Sequence, residues 1–208
     1  LLTPPLWIAC EFISNLEGLP DIGETMFSHR IDDELELQLL EEWHAEALFA
    51  VMDRNRAYLR EWLPWLDGIH SPDDTRGFIR SAREQWGRND GFAAGIWFQG
   101  QPVGMIGFHA IDWPNRMTSI GYWLAAAYQG RGIVTRACRA IVGHAFAELG
   151  LNRVEIRCAT GNRKSCAIPE RLGFTCEGIA RQAEWLYDHY VDLVIYAMLA
   201  DEWPAAAG

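Results

Sequence analysis

The sequence predicts a mixed α/β (α+β) domain. Its central sheet is mostly antiparallel, turns parallel at one strand pair, and carries flanking helices. Three observations lead there. Apolar runs at 92–98, 103–111 and 117–124 read as strands separated by short turns, as antiparallel neighbours are. The run Gln129-Gly130-Arg131-Gly132 then opens a helix that Gly150 ends. Arg153-Val-Glu-Ile-Arg-Cys158 alternates again, so strand, helix and strand imply a right-handed crossover and a parallel pair.

The other elements follow in order. Residues 1–25 hold several prolines and glycines and no clear period. They are expected to be an N-terminal extension outside the core, with Met26 the natural start. A single domain is expected over 26–200, and a short frayed tail over 201–208. Residues 34–39 alternate as a strand, and 42–52 have helical spacing through Trp43, Ala47, Leu48 and Val51. Tyr58, Trp62 and Trp65 recur at three and four, one face of a helix before Pro64 disturbs it. They read either as a core stripe or as the wall of a peptide cleft. Ser71 caps a helix with Pro72 at its first position and Asp73 and Asp74 in its first turn, running to about Gly87.

Gly104 and Gly107 inside a strand call for close backbone approach by a neighbour or a ligand. Strand 117–124 puts Ile120, Tyr122 and Leu124 on one face. The helix after Gly132 should bury Val134, Cys138, Ile141, Val142, Ala145 and Leu149. Asn162 caps a short helix carrying Ser165 and Pro169 and ending at Gly173. Segments 174–177 and 184–187 are extended about a bend at Gly178, and 190–199 is the last strand.

Composition narrows the function. The chain has 208 residues, half of them hydrophobic, and a formal net charge of -10. That balance argues against a nucleic-acid binder working through a basic face. No apolar run is long enough for a membrane span, and the first 29 residues lack Lys and Arg, against a signal peptide. Cys10, Cys138, Cys158, Cys166 and Cys176 form no Cys-x-x-Cys pair, so neither a disulfide framework nor a metal site is expected. Cys138 and Cys158 fall on apolar faces as core residues, and a cytoplasmic location fits. The six histidines, His109 and His144 among them, show no metal or triad spacing.

The glycine run carries the chemistry. Two glycines around an arginine let the backbone turn tightly, and the helix N-terminus that follows aims free N–H groups and a positive dipole end at one spot. That is an anion site suited to a phosphate or pyrophosphate. The dinucleotide pattern would need a third glycine where Thr135 stands, and no P-loop Gly-Lys-Ser/Thr run occurs.

Three stretches taken in order resemble the GNAT superfamily of acyl-CoA N-acyltransferases, nearest the branch that acetylates alanine and serine N-termini of ribosomal proteins. They are Ile120-Gly-Tyr-Trp-Leu124 with Gln129-Gly-Arg-Gly-Ile-Val134; Asn162-Arg-Lys-Ser165 with Arg171-Leu-Gly-Phe174; and Glu177-Gly-Ile-Ala-Arg-Gln-Ala-Glu184-Trp-Leu with Tyr190-Val-Asp-Leu. The resemblance implies a GNAT fold whose parallel strands splay to admit acetyl-CoA as co-substrate, without a metal. Trp123 and Leu124 would pair with the pantetheine arm. Gln129, Gly130, Arg131, Gly132, Ile133, Val134 and Thr135 would hold the pyrophosphate. Asn162 would bind the cofactor arm, and Ser165 would protonate the leaving thiolate. Glu184 would be the general base, its pKa raised by Trp185, with Glu177 as the rival.

Only a neutral amine attacks a thioester. Neutralising a lysine costs about 3 kcal/mol more than neutralising an α-amine, which favours protein or peptide N-termini. An enzyme for small amines, and a non-catalytic acyl-CoA-binding module, stay open beside that reading, as does a homodimer.

Overall fold

The computed structural model describes residues 27–204; the expected extension 1–25, Met26 and the last four residues lie outside them. In chain order the elements are β1 (Ser28–Arg30), β2 (Leu35–Leu39), α1 (Ala45–Arg54), α2 (Arg56–Leu59), α3 (Pro72–Gly87), β3 (Phe92–Phe98), β4 (Gln101–Phe108), β5 (Met117–Leu124), α4 (Ile133–Ala147), β6 (Arg153–Ala159), α5 (Arg163–Leu172), β7 (Thr175–Leu186) and β8 (His189–Leu199).

The strands form one eight-stranded sheet in the order β1-β2-β3-β4-β5-β6-β8-β7. Every pairing is antiparallel except β5 with β6. The glycines of β4 are explained by the neighbouring strands. A Cβ on Gly104 would sit 2.2 Å from the Trp123 carbonyl oxygen, and one on Gly107 would sit 2.2 Å from that of Phe92. Any side chain there would prise β4 from β5 or β3.

Each face of the sheet has its own core. Beneath α4 and α5, Ile106, Ile120, Leu124, Ile133, Cys138, Ile141, Val154, Ile156 and Met198 are buried together. Val134, Val142 and Ala145 join them as the helical period requires, and Leu149 packs at the margin. The opposite face holds Leu40, Leu48, Leu59, Leu66, Ile79, Met105 and Trp123 under α1, α2 and α3. Each such leucine or isoleucine contributes ~1.5–3 kcal/mol by leaving water.

Local signals explain the helix ends. The Ser71 hydroxyl accepts from the Asp74 amide at 3.3 Å, and α3 runs to Gly87. Asn162 accepts from the Ser165 amide at 3.1 Å, and Gly173 closes α5 at φ 81°.

Two elements differ from expectation. Residues 55–66 do not form one amphipathic helix. The helix stops at Leu59 with Tyr58 in its last turn, and Trp62 and Trp65 follow in turns beyond it, Trp65 exposed. The 174–177 and 184–187 segments are one bent strand, β7, with register shifts at Cys176/Gly178 and Ala180/Glu184. Part of the tail is also anchored: Trp203 packs against Phe146 of α4, ring centroids 6.2 Å apart, with Arg139 over its ring.

Candidate active site

The parallel pair is short. β5 and β6 are in register at Met117–Arg153, Thr118–Val154, Ser119–Glu155 and Ile120–Ile156, and then part. The Ala125 amide donates to the Val103 carbonyl at 2.8 Å, so Ala125 faces β4. Alternation then turns the backbone polar groups of Leu124 and Tyr122 towards the gap, and those of Trp123 back to β4. Leu124 therefore offers the free N–H expected of it. The Trp123 backbone does not, and its indole instead lies buried on the α1–α3 side.

At the end of β5 the chain makes the anticipated turn. Gly130 and Gly132 have φ of 74° and 70°, a region costly to residues with a Cβ, and nothing lies within 4 Å of where their side chains would begin. Gly132 is the N-cap of α4 and no side chain caps the first-turn amides, so these donors point outward. Gly130, Gly132, Val134 and Thr135 line the opening, while the Ile133 side chain is buried in the core. The Arg131 amide belongs to the same turn, but its side chain turns elsewhere. It donates to the Ala127 carbonyl at 3.3 Å and lies over the rings of Tyr128 and Phe98, away from the opening. The cations that line the cleft are Arg88, Arg136, Arg139, Arg157, Lys164 and Arg171. Gln129 works through its neighbours: its amide donates to the Tyr58 hydroxyl and accepts from Lys164 at 2.8 Å.

Where the strands part, the sheet opens into a cleft of about 2010 Å³ with walls from both faces. Tyr58, Trp62 and Trp65 line it, which supports the cleft-wall reading of those aromatics. Asn162, Ser165 and Glu184 line it too. Ser165 hydrogen-bonds to the Tyr122 hydroxyl at 3.2 Å and lies 3.2 Å from the Cys158 sulfur. Burial raises the Tyr122 phenol well above its ordinary value, so it stays protonated. Burial likewise pushes the Cys158 thiol up to about 12, and Cys138 higher still, which makes both inert thiols of the core.

The two glutamates of β7 have opposite surroundings. Glu184 is half-buried in the cleft, and burial raises its pKa. Trp185 is not the cause. Alternation sends it to the other face, where it is exposed and packs edge-on against Tyr190 at 4.7 Å. Glu177 lies outside the cleft, and a hydrogen bond from Arg153 at 2.7 Å lowers its pKa.

The GNAT acetyltransferase domain family matches residues 34–175. The chain belongs to that family. A putative ribosomal N-acetyltransferase, YdaF of Bacillus subtilis, is 40% identical over 86% of this chain and 98% of its own. The ribosomal-protein-serine acetyltransferase of Escherichia coli is 32% identical over 83% and 96%. Two solved GNAT structures bear on the site. RimL, a ribosomal L7/L12 α-N-protein acetyltransferase in complex with coenzyme A, superposes with TM-score 0.79 at 32% identity, over 83% of this chain and 98% of that one. The microcin C7 self-immunity acetyltransferase MccE, in complex with acetyl-CoA and AMP, gives 0.80 at 29% identity, over 86% and 99%.

Within this GNAT domain the sequence motifs located the glycine turn, Asn162, Ser165 and Glu184. Tyr122, Lys164 and His109 were missed as cleft residues. Tyr122 and Lys164 stood inside the quoted motifs, but only folding shows which way they point. His109 carried no sequence signal: its neighbours in the cleft are Ser119 and Gly121, ten and twelve residues on.

Proposed function

We propose that this acetyltransferase moves the acetyl group of acetyl-CoA to the α-amine of a protein or peptide N-terminus by direct attack in a ternary complex. The observation that carries the reading is the parted β5–β6 pair. It leaves the Leu124 backbone unpaired beside a glycine turn with open donors, and it leads through the sheet to Glu184. An extended amide-bearing arm ending in a pyrophosphate fits that path: the arm pairs with the strand edge, and the anion meets the amides of 130–134.

The roles follow from position. The Leu124 N–H donates to the thioester oxygen as negative charge builds there. Glu184, with its pKa raised towards the working pH, takes a proton from the amine directly or through water. Ser165, hydrogen-bonded to Tyr122, returns a proton to the departing thiolate. The aromatic wall of Tyr58, Trp62 and Trp65 receives the acceptor. The names of the Escherichia coli relative and of RimL point to ribosomal-protein termini, which are cytoplasmic acceptors. The likeness to MccE, solved with AMP, favours a second reading, a small-molecule amine acceptor.

The test is an acetyl-CoA assay with mass-spectrometric and thiol-release readouts. Free N-terminal peptides, N-terminally blocked lysine peptides and small amines are compared. Transfer to free α-amines and not to blocked peptides is the expected result. Transfer to small amines alone gives the second reading, and no thiol release with any acceptor removes the enzymatic one.

A further inference from the structure

His109 stands just beyond β4, and its ring lies along β5. Its amide donates to the Ser119 carbonyl at 2.9 Å, and its Nδ1 is 2.8 Å from the Ser119 hydroxyl. The other nitrogen reaches over Gly121: a Cβ there would sit 2.8 Å from Nε2 and 3.0 Å from Cε1. Only a glycine at 121 leaves the imidazole this berth. Gly121 is also the first residue of β5 beyond Ile120, the last one paired with β6. The ring therefore sits at the fork where the strands part. It is on the face that Ser119, Gly121 and Trp123 share, and it lines the same cleft as Glu184.

The chemistry of the transfer leaves a place for such a group. An amine arrives as an ammonium with three N–H bonds, and the amide product keeps one. One proton must leave nitrogen before attack and one as the tetrahedral adduct collapses. The thiolate gains one proton, and one goes to water in each turnover. A single carboxylate would have to serve twice. Resting on the acetyltransferase reading above, we propose that His109 is a second catalytic base, whose Nε2 takes the first proton from the incoming ammonium and passes it to solvent while Glu184 takes the second, which restores the proton that Ser165 gives to the thiolate.

The geometry suits the role. With Nδ1–H donating to the Ser119 hydroxyl, the Nε2 lone pair is free and faces the fork. Part of the ring is exposed, which gives the proton an exit. Burial of the remainder, and the positive charge of Arg157 on β6, both lower the imidazole pKa, so the ring is neutral and ready to accept at neutral pH. Ser119 on β5 holds the ring and the charge of Arg157 on β6 acts on it, while Arg88 and Asp90 ahead of β3 and Glu184 on β7 line the same cleft.

The experiment uses the full chain, acetyl-CoA and a peptide with a free N-terminal serine. It compares the unsubstituted protein with His109→Ala and Ser119→Ala over a range of pH. His109→Ala is expected to lower kcat about 10²-fold with the KM for acetyl-CoA unchanged, and added imidazole to restore part of the loss. The acid limb of its kcat/KM profile should lose the steepness of two groups. Ser119→Ala, which leaves the ring in place and removes its orienting partner, should give a smaller loss. Unchanged turnover in His109→Ala, or a loss that imidazole does not relieve, overturns the inference while transfer by the unsubstituted protein keeps the acetyltransferase reading intact. Absence of transfer by the unsubstituted protein removes both.

Discussion

Replacing Glu184 by glutamine keeps the size and shape of the side chain and removes its charge and basicity. Glu184 has no ion pair among the described residues, and burial alone raises its pKa from the ordinary 4.5. Two consequences follow. Loss of a positioned base costs about 10²–10³ in kcat, equivalent to ~3–4 kcal/mol of transition-state stabilisation. Stability should move the other way. A carboxyl whose folded pKa is raised is penalised in the folded state once the pH exceeds its unfolded value, and the penalty is complete above the folded value. Glu184→Gln removes that penalty, so the variant should be as stable as the parent, or more so, at neutral pH, and the difference should vanish as the pH falls below the unfolded value. The assay is steady-state acetyl transfer beside urea melts at neutral and acid pH. Glu177→Gln is the control: it keeps full activity and loses only a half-exposed ion pair with Arg153, worth ~0–1 kcal/mol. Full turnover by Glu184→Gln would refute the base assignment. An activity loss matched by a fall in stability would show that the side chain serves the fold instead.

Three further predictions concern the scaffold. Gly132→Ala places a Cβ at φ 70° in open space, so the cost is backbone strain of about 1–2 kcal/mol; the KM for acetyl-CoA should rise with kcat little changed. Arg153→Ala leaves Glu155, 5% exposed, with Arg157 as its remaining ion-pair partner, and should cost ~1–3 kcal/mol in urea melts. Burial opposes the net lowering of the Glu155 pKa, but the hydrogen bonds from Arg153 and Arg157 prevail. That stabilisation is present above the unfolded carboxylate value and lost as the pH falls, so parent and variant should converge in acid. Ser71→Ala removes the N-cap of α3 and should cost about 1 kcal/mol, read as a lower Tm with kcat unchanged.

Much of this protein was legible in its sequence because the signals are local. Alternation marked β2, β5 and β6, apolar and β-branched runs marked β3, β4 and β8, and helical spacing marked α1 and α4. Capping chemistry located Ser71, Asn162 and Gly173, and the paired glycines located the turn at 130–132. Each depends on residues within a few positions of one another, where backbone geometry dictates the pattern.

What the tertiary structure decided depends on residues far apart in the chain. Both glutamates of β7 read alike in sequence; one is held by Arg153 from a neighbouring strand and the other is left unpaired in the cleft. Arg131 belongs to the motif, yet Phe98 and Tyr128 draw its guanidinium away from the opening. The residue at which β5 and β6 part, and the berth that Gly121 leaves for His109, exist only once the strands have paired. Side-chain direction and desolvation are properties of the packed sheet, and no local pattern encodes them.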